Sequence, residues 1–140
     1  MKLPQLLASG LTLFSLLVFS STAGAQSGTA SVSPDHIYFG TYNVDHPPVY
    51  GTVVLTNNGS SSMSISSIGS NLVDPFLVSS TTCGSTLNAG ASCNITVEFD
   101  VPNAPIGVYQ REGMNIVDSA TNSPQYVQLG GEAACNGICQ

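Results

Sequence analysis

A chain of 140 residues with two Lys or Arg, eight Asp or Glu and a formal charge of −6 has room for one domain of roughly 100 residues with its own core. So few cations exclude a nucleic-acid ligand, whose phosphates demand clustered Lys and Arg, and exclude docking by charge on anionic lipid. Polar surface has to come from Ser, Thr, Asn and Gly, a composition typical of extracellular β-proteins.

Met1 and Lys2 form a minimal basic start, Leu6 to Phe19 an apolar run, and Ala23-Gly24-Ala25 a small-residue end. These are the three parts of a secretory signal peptide. The apolar run is broken by Ser9, Gly10, Thr12 and Ser15 and is shorter than the ~20 residues that span a bilayer. We therefore expect a leader over residues 1–25, cleaved after Ala25, no membrane insertion after cleavage, and a secreted or periplasmic destination. No cysteine lies near the cleavage point, which argues against a lipid anchor. Cleavage removes Lys2 and moves the formal charge from −6 to −7.

Beyond the leader, short strand-like runs alternate with turn clusters. Ala30 to Phe39 is the first, with Val32, Ile37 and Phe39 apolar and Pro34 marking an edge or a kink. Tyr50 to Asn57 is the second, Val53 and Leu55 sharing a face, and Asn57-Asn58-Gly59-Ser60 then reads as a turn because Asn and Gly tolerate positive φ. Met63, Ile65 and Ile68 mark the third, and Phe76 to Ser79 a short fourth. Ser92 to Asp100 is the clearest. Cys93, Ile95, Val97 and Phe99 alternate with Asn94, Thr96 and Glu98, the period of two of a half-buried antiparallel strand. Gly107 to Asp118 follows a turn with Pro102 and Pro105, and Tyr126 to Leu129 closes the series at Gly130-Gly131. Seven strands at this spacing predict an all-β, seven-stranded immunoglobulin-like β-sandwich. Its expected core is Ile37, Phe39, Val53, Leu55, Ile65, Phe76, Ile95, Val97, Phe99, Ile116, Val127 and Leu129. The domain is expected over residues 26–132, with a cysteine-bearing tail over residues 133–140.

Four cysteines in an exported chain read as disulfides. Cys83 and Cys93 bracket a turn and form a staple if they pair. A redox or metal pair is the alternative, but the nearby turn offers no further ligand. Cys135 and Cys139, spaced C-x3-C around Gly137, either close a small terminal ring or cross-link the protein to a partner or to itself. Four cysteines allow three connectivities, of which Cys83–Cys93 with Cys135–Cys139 is the simplest.

Other chemistry-bearing residues are scattered. His36 and His46 are the only histidines, and Asp35, Asp45, Met63 and Met114 do not cluster with them as copper-type ligands do. No G-x-S-x-G elbow is present. Asp100, Asp118 and Glu132 fall at expected strand ends, where Asp commonly caps turns. No catalytic, cofactor-binding or metal residue is identified, and no cofactor is expected. Asn58-Gly59-Ser60 and Asn94-Ile95-Thr96 are glycosylation sequons in a eukaryotic secretory pathway and mean nothing in a bacterium. Tyr38, Tyr42, Tyr50, Tyr109 and Tyr126 are expected at strand ends and half-buried. The alternative is that they lie exposed on a sheet face, stacking on sugars or building a protein interface.

The stretches VSPDHIYFG (32–40), VVLTNNGSSSMSISSI (53–68), CGSTLNAGASCNITVEF (83–99) and NIVDSATNSPQYVQLGG (115–131), with Ile106-Gly107 between the last two, carry a family resemblance. Together they resemble the immunoglobulin-like domains of the ASPM/Hydin type, found in bacterial secreted proteins as the choice-of-anchor D group. The resemblance implies a sandwich similar to major-sperm-protein and PapD-like domains, used for scaffolding or binding, with no catalytic motif. The expected function is thus a secreted, non-enzymatic binding or structural module of the cell envelope or extracellular space. Its partner would be a protein or a surface glycan, met through sheet edges and loop tips. One alternative is a pilus- or adhesin-type assembly protein that oligomerises by strand exchange or tail disulfides. Another is a small metal-carrying or enzymatic secreted protein. Intact-mass analysis of the exported chain should give a polypeptide that begins at Gln26 and is four hydrogens lighter than its reduced form, one pair for each bridge among the four cysteines. Retention of residues 1–25, or a mass unchanged by reduction, would remove these expectations.

Overall fold

The computed structural model describes residues 28–135 and 137. The expected leader and Cys139 lie outside the described residues. Nine strands form: β1 (Ala30–Ser33), β2 (His36–Asn43), β3 (Val49–Asn57), β4 (Met63–Ile68), β5 (Phe76–Thr81), β6 (Thr86–Leu87), β7 (Ser92–Phe99), β8 (Gly107–Asp118) and β9 (Gln125–Ala134). A 3-10 turn, Val101–Asn103, follows β7. The strands build a four-stranded sheet in the order β1-β3-β7-β5 and a five-stranded sheet in the order β2-β9-β8-β4-β6. All pairings are antiparallel except that of β2 with β9.

Alternation decides which face each strand buries. On β7, Cys93, Ile95, Val97 and Phe99 are buried while Ser92 and Asn94 are exposed. Val53 and Leu55 of β3, Met114 and Ile116 of β8, and Val127 and Leu129 of β9 fill the same core. Phe76 belongs to it, as expected. Ile37, Phe39 and Ile65 differ from expectation: they pack against the core but stay half-buried, because β2 is an outer strand and β4 is covered along only part of its length. Met63, Leu87, Val101 and Ala104 complete the interior.

Each of the seven expected segments contains a strand. The first divides in two, because Pro34 has no N–H to continue a ladder. β1 ends at Ser33 before the cis Ser33–Pro34 bond, and β2 resumes in the opposite sheet. β6 has only two residues, too few for an alternating pattern to show. β9 runs on to Ala134, so Ala133 and Ala134, assigned above to the tail, lie in the sheet.

The two ends of the sandwich are held by different chemistry. At one end four rings interlock across the sheets, Phe39 of β2 and Tyr109 of β8 against Phe76 of β5 and Phe99 of β7, with centroids 5.1–6.1 Å apart. Such pairs contribute about 0.5–1.5 kcal/mol each beyond the area they bury. The Tyr109 hydroxyl donates to the Pro105 carbonyl, and burial raises its pKa.

The other end is held by carboxamides. Asn57 is 2% exposed and lies on the inner face of β3. Its Nδ2 donates to the carbonyls of Ser61 (2.9 Å), Leu87 (2.9 Å) and Asn88 (3.2 Å), and its Oδ1 accepts from Gly59 N (2.9 Å). Asn122 bonds Ala30 in both directions, Nδ2 to O at 2.8 Å and N to Oδ1 at 2.9 Å. That joins β1 to the β8–β9 turn, a link between the two sheets. Asn71 acts similarly where β4 has stopped: Nδ2 donates to Gly113 O and Oδ1 accepts from Asn115 N, both at 2.7 Å. The turn after β3 also corrects the sequence reading. Positive-φ glycines are Gly40, Gly69 and Gly90, so Gly59 is not needed for φ. A Cβ on Gly59 would lie 2.8 Å from Gly28 Cα, so it is required for close approach.

Cys83 and Cys93 form a disulfide with S–S 2.06 Å and Cα–Cα 5.0 Å, linking the segment after β5 to the start of β7. Cys135 is disulfide-bonded as well.

Replacing Asn57 with Ala should lower unfolding stability by about 3 kcal/mol in urea titration, because buried carbonyls and one N–H lose their partner. A loss below about 1 kcal/mol would show that the turns hold without it. Converting Cys83 and Cys93 together to Ser and Ala should cost about 3 kcal/mol, the loop-closure value for a bridge of this span. An unchanged melting temperature would mean that the staple does not restrict the unfolded chain.

Candidate functional site

On the outer face of the five-stranded sheet, β2, β9 and β8 lie side by side. Register places Tyr38, Gly130 and Gln110 in one cross-strand row, and His36, Gln128 and Gly113 in the next. Tyr126, with Asn115 beside it, forms a third row. The alternation of β9 explains this set. Val127, Leu129 and Gly131 are buried, so Tyr126, Gln128 and Gly130 must face the other way.

Both strands that flank β9 bulge at the level of Gly130. β2 carries an extra residue between Tyr38 and Thr41, where Gly40 has φ +100°, and β8 carries one between Gln110 and Glu112. A bulge bends its strand and re-aims nearby side chains. With two of them facing a residue that has no side chain, the sheet becomes locally concave. A cleft of about 250 Å³ opens there, lined by His36, Ile37, Tyr38, Gln110, Gln128, Leu129 and Gly130. Tyr38 is 61% exposed, and its ring edge lies 3.3 Å from where a Cβ on Gly130 would sit. Tyr126 is 49% exposed, and its ring occupies the space above Gly113.

Among the described side chains the cleft carries little charge. Gln110 and Gln128 offer carboxamides. At one side His36 Nδ1 lies 2.9 Å from Asp35 Oδ1, and this hydrogen bond holds the Asp35 carboxyl below its ordinary value, helped by a backbone bond. In the row beyond Tyr38, Thr41 Oγ1 donates to Glu132 Oε2 at 3.0 Å.

The structure keeps the other sequence candidates apart. His46 follows the far end of β2, its ring 4.4 Å from that of Tyr42, whereas His36 opens the strand and bonds Asp35. Met63 and Met114 are core residues. Asp118 is buried and caps the β8–β9 turn, Oδ1 accepting from Ala120 N at 2.8 Å, while Asp100 accepts from Asn103 Nδ2. Among the described residues no group of three or more His, Cys, Asp or Glu side chains converges. The sequon residues Asn58 and Asn94 are both exposed. The tyrosines divide: Tyr42 and Tyr109 are half-buried as expected, whereas Tyr38, Tyr50 and Tyr126 are exposed. Gln110, Gln128 and Gly130 were not candidates. The alternation Tyr126-Val127-Gln128-Leu129-Gly130 carries a signal for Gln128 and Gly130, and Gln110 is brought to them only by strand pairing.

The sheet edges are poorly suited to receive another strand. β1 is four residues long and stops before a proline, β5 has a bulge between Val78 and Ser80, β6 has two residues, and the longer edge strand β2 is broken by its bulge at Gly40. These are devices that blunt an edge. Gly107 to Gln110 of β8 extends past β4 and has no second strand neighbour among the described residues.

No protein-family model matches the chain, and no curated protein matches it. Solved structures share its fold. A protein of unknown function from Porphyromonas gingivalis superposes with a TM-score of 0.65 at 13% identity, over 82% of this chain and 51% of its own. The Vibrio cholerae VesB protease gives 0.59 at 19% identity, over 75% of this chain and 32% of the protease. The ASH / PapD-like domain 7 of human CEP192 gives 0.56 at 15% identity, over 96% of this chain and 100% of that domain. The chain thus spans about a third of VesB and half of the Porphyromonas protein. At these identities the likeness is one of fold alone, an immunoglobulin-like β-sandwich.

Proposed function

We propose that the protein is a non-enzymatic binding module that works outside the cytoplasm, and that its binding surface is the outer face of the five-stranded sheet around Tyr38. The observation that carries this reading is the cleft at Gly130, where paired bulges and an exposed ring build a concavity on the outer face of the sheet. Concave sites with a few convergent polar groups are where small ligands and anchoring groups bind. The polar groups here are chiefly carboxamides, which do not exchange protons near neutral pH, and this favours binding over acid–base chemistry. The Cys83–Cys93 bridge supports an oxidising destination. Membership of the ASPM/Hydin-type group, within which such domains serve as binding or scaffolding modules, is supported by the ASH / PapD-like neighbour that matches along nearly the whole chain. The blunted edges favour the sheet face over strand exchange, and so favour a binder over a pilus-type assembly protein.

The test is retention of the mature chain by cell-envelope preparations. Tyr38→Ala should reduce the retained fraction about tenfold, the scale of losing one exposed anchor at a binding site. Tyr50→Ala, on the opposite sheet, should leave it unchanged. Equal retention of the Tyr38 variant and the native chain would reject this face.

A further inference from the structure

We propose that the ligand of this face is a neutral glycan, with one sugar ring stacked on Tyr38 in the cleft and a later unit of the same chain on Tyr126. The inference rests on the reading of this face as the binding surface and names what it binds.

Size sets the first limit. A cleft of about 250 Å³ is smaller than the roughly 300–1,000 Å³ of sites that enclose drug-sized molecules. It seats one compact unit of a longer ligand, on the scale of a single pyranose. Chemistry sets the second. Among the described side chains no Lys or Arg lines the cleft, and the His36 ring is taken up by Asp35, so phosphate, sulfate or uronate groups find little counter-charge. Two carboxylates beside these rows are engaged, Asp35 by His36 and Glu132 by Thr41, and among the described residues no group of three or more His, Cys, Asp or Glu converges to hold a metal cation. Gln110 and Gln128 each present both donors and an acceptor. A sugar hydroxyl also donates and accepts, and two neighbouring hydroxyls can engage one carboxamide.

Shape decides between a glycan and a peptide. An extended peptide binds a sheet by pairing with free backbone at an edge, but β9, the floor of the cleft, is paired on both sides, and the edge strand beside it, β2, is broken at Gly40 by a bulge that interrupts a continuous ladder. The face therefore offers ring surface and side-chain amides rather than a ladder. The apolar C–H face of a pyranose suits such a ring, and the sugar's equatorial hydroxyls then point sideways toward groups placed like Gln110 and Gln128. Tyr126 lies four residues before Gly130 on β9, about 13 Å away at the rise of an extended strand. Its ring leans over Gly113 toward β8 and is half exposed. The lean carries the Tyr126 ring into the Gln128 row, nearer Tyr38 than the backbone spacing, and two rings spaced along one face suit an oligosaccharide that runs with β9.

The experiment is a nuclear magnetic resonance titration of the mature chain. The probes are neutral hexasaccharides of glucose (α- and β-linked), N-acetylglucosamine, xylose and mannose, with hexagalacturonate as the charged comparison. At least one neutral oligomer should shift the amides of Tyr38, Gln110, Gln128 and Gly130, and hexagalacturonate should not. Tyr38→Ala should weaken that binding about tenfold or more, whereas Tyr38→Phe, which keeps the ring, should stay within about threefold of the native chain. Tyr126→Ala should weaken the hexasaccharide but not the corresponding disaccharide. The proposal is overturned if no neutral oligomer shifts these amides at millimolar concentration, or if the shifts persist in Tyr38→Ala. Tyr38-dependent retention by envelopes without any oligosaccharide binding overturns the glycan alone and leaves the face in place. Loss of that retention on protease treatment would then assign the face to a protein. Retention that ignores Tyr38 removes the face as well.

Discussion

A carboxamide on the inner face of a β-sandwich either finds partners or costs the fold about 1–3 kcal/mol for each polar group left dry. Asn57 follows Val53 and Leu55 in the period of β3, so the strand that fills the core also carries an amide into it. The four bonds that satisfy it reach the turn after β3 and the loop after β6. The backbone of Asn57 reinforces them, donating to Ala91 O and accepting from Gly90 N. Two irregular segments are thereby fixed by one side chain. β6, too short to define its own position, is held in part because Leu87 O is one of the partners. Asn122 and Asn71 extend the device. A carboxamide matches a peptide group in donor and acceptor, so each stands in for backbone where a strand has run out.

The divided chemistry of the two ends follows from what the strands can supply. At the Phe99 end, large rings from both sheets meet, and Gly131 makes room for them: a Cβ there would lie 2.9 Å from the Phe99 ring. At the Asn57 end the turns are short and rich in Ser, Asn and Gly, and their exposed backbone groups need local partners more than the core needs volume. Apolar packing could not satisfy them.

Much of the architecture was legible in the sequence because alternation is a local signal. β3 and β7 could be read nearly residue by residue, and Pro34 marked its break without showing that the chain changes sheets there. Asn57 shares the parity of Val53 and Leu55 and could have been placed inside on that ground. Asn57-Asn58-Gly59 also carries a turn signal, which points to φ rather than to burial. The candidate site was less legible, for a different reason. It exists only because β2 pairs in parallel with β9, bringing Tyr38 beside Gly130 across more than 90 positions of chain. No local pattern encodes that partnership. The bulge at Gly40 left a trace as a glycine inside a strand, but the one on β8 left none.

The same register has a mechanical consequence. Ala30 is tied to Asn122, just ahead of β9, while Ala134 lies opposite Asn43 at the far end of that strand. The described chain therefore enters and leaves the sandwich at opposite poles, separated by the length of β9, about 30 Å. Tension applied between the two poles runs along the strands. At β9 it meets ladders on both flanks in shear, so their hydrogen bonds share the load and do not open one after another. A protein that grips a surface through the side of this sheet can thus be pulled end to end while the strand that floors its cleft is held by ladders on both flanks.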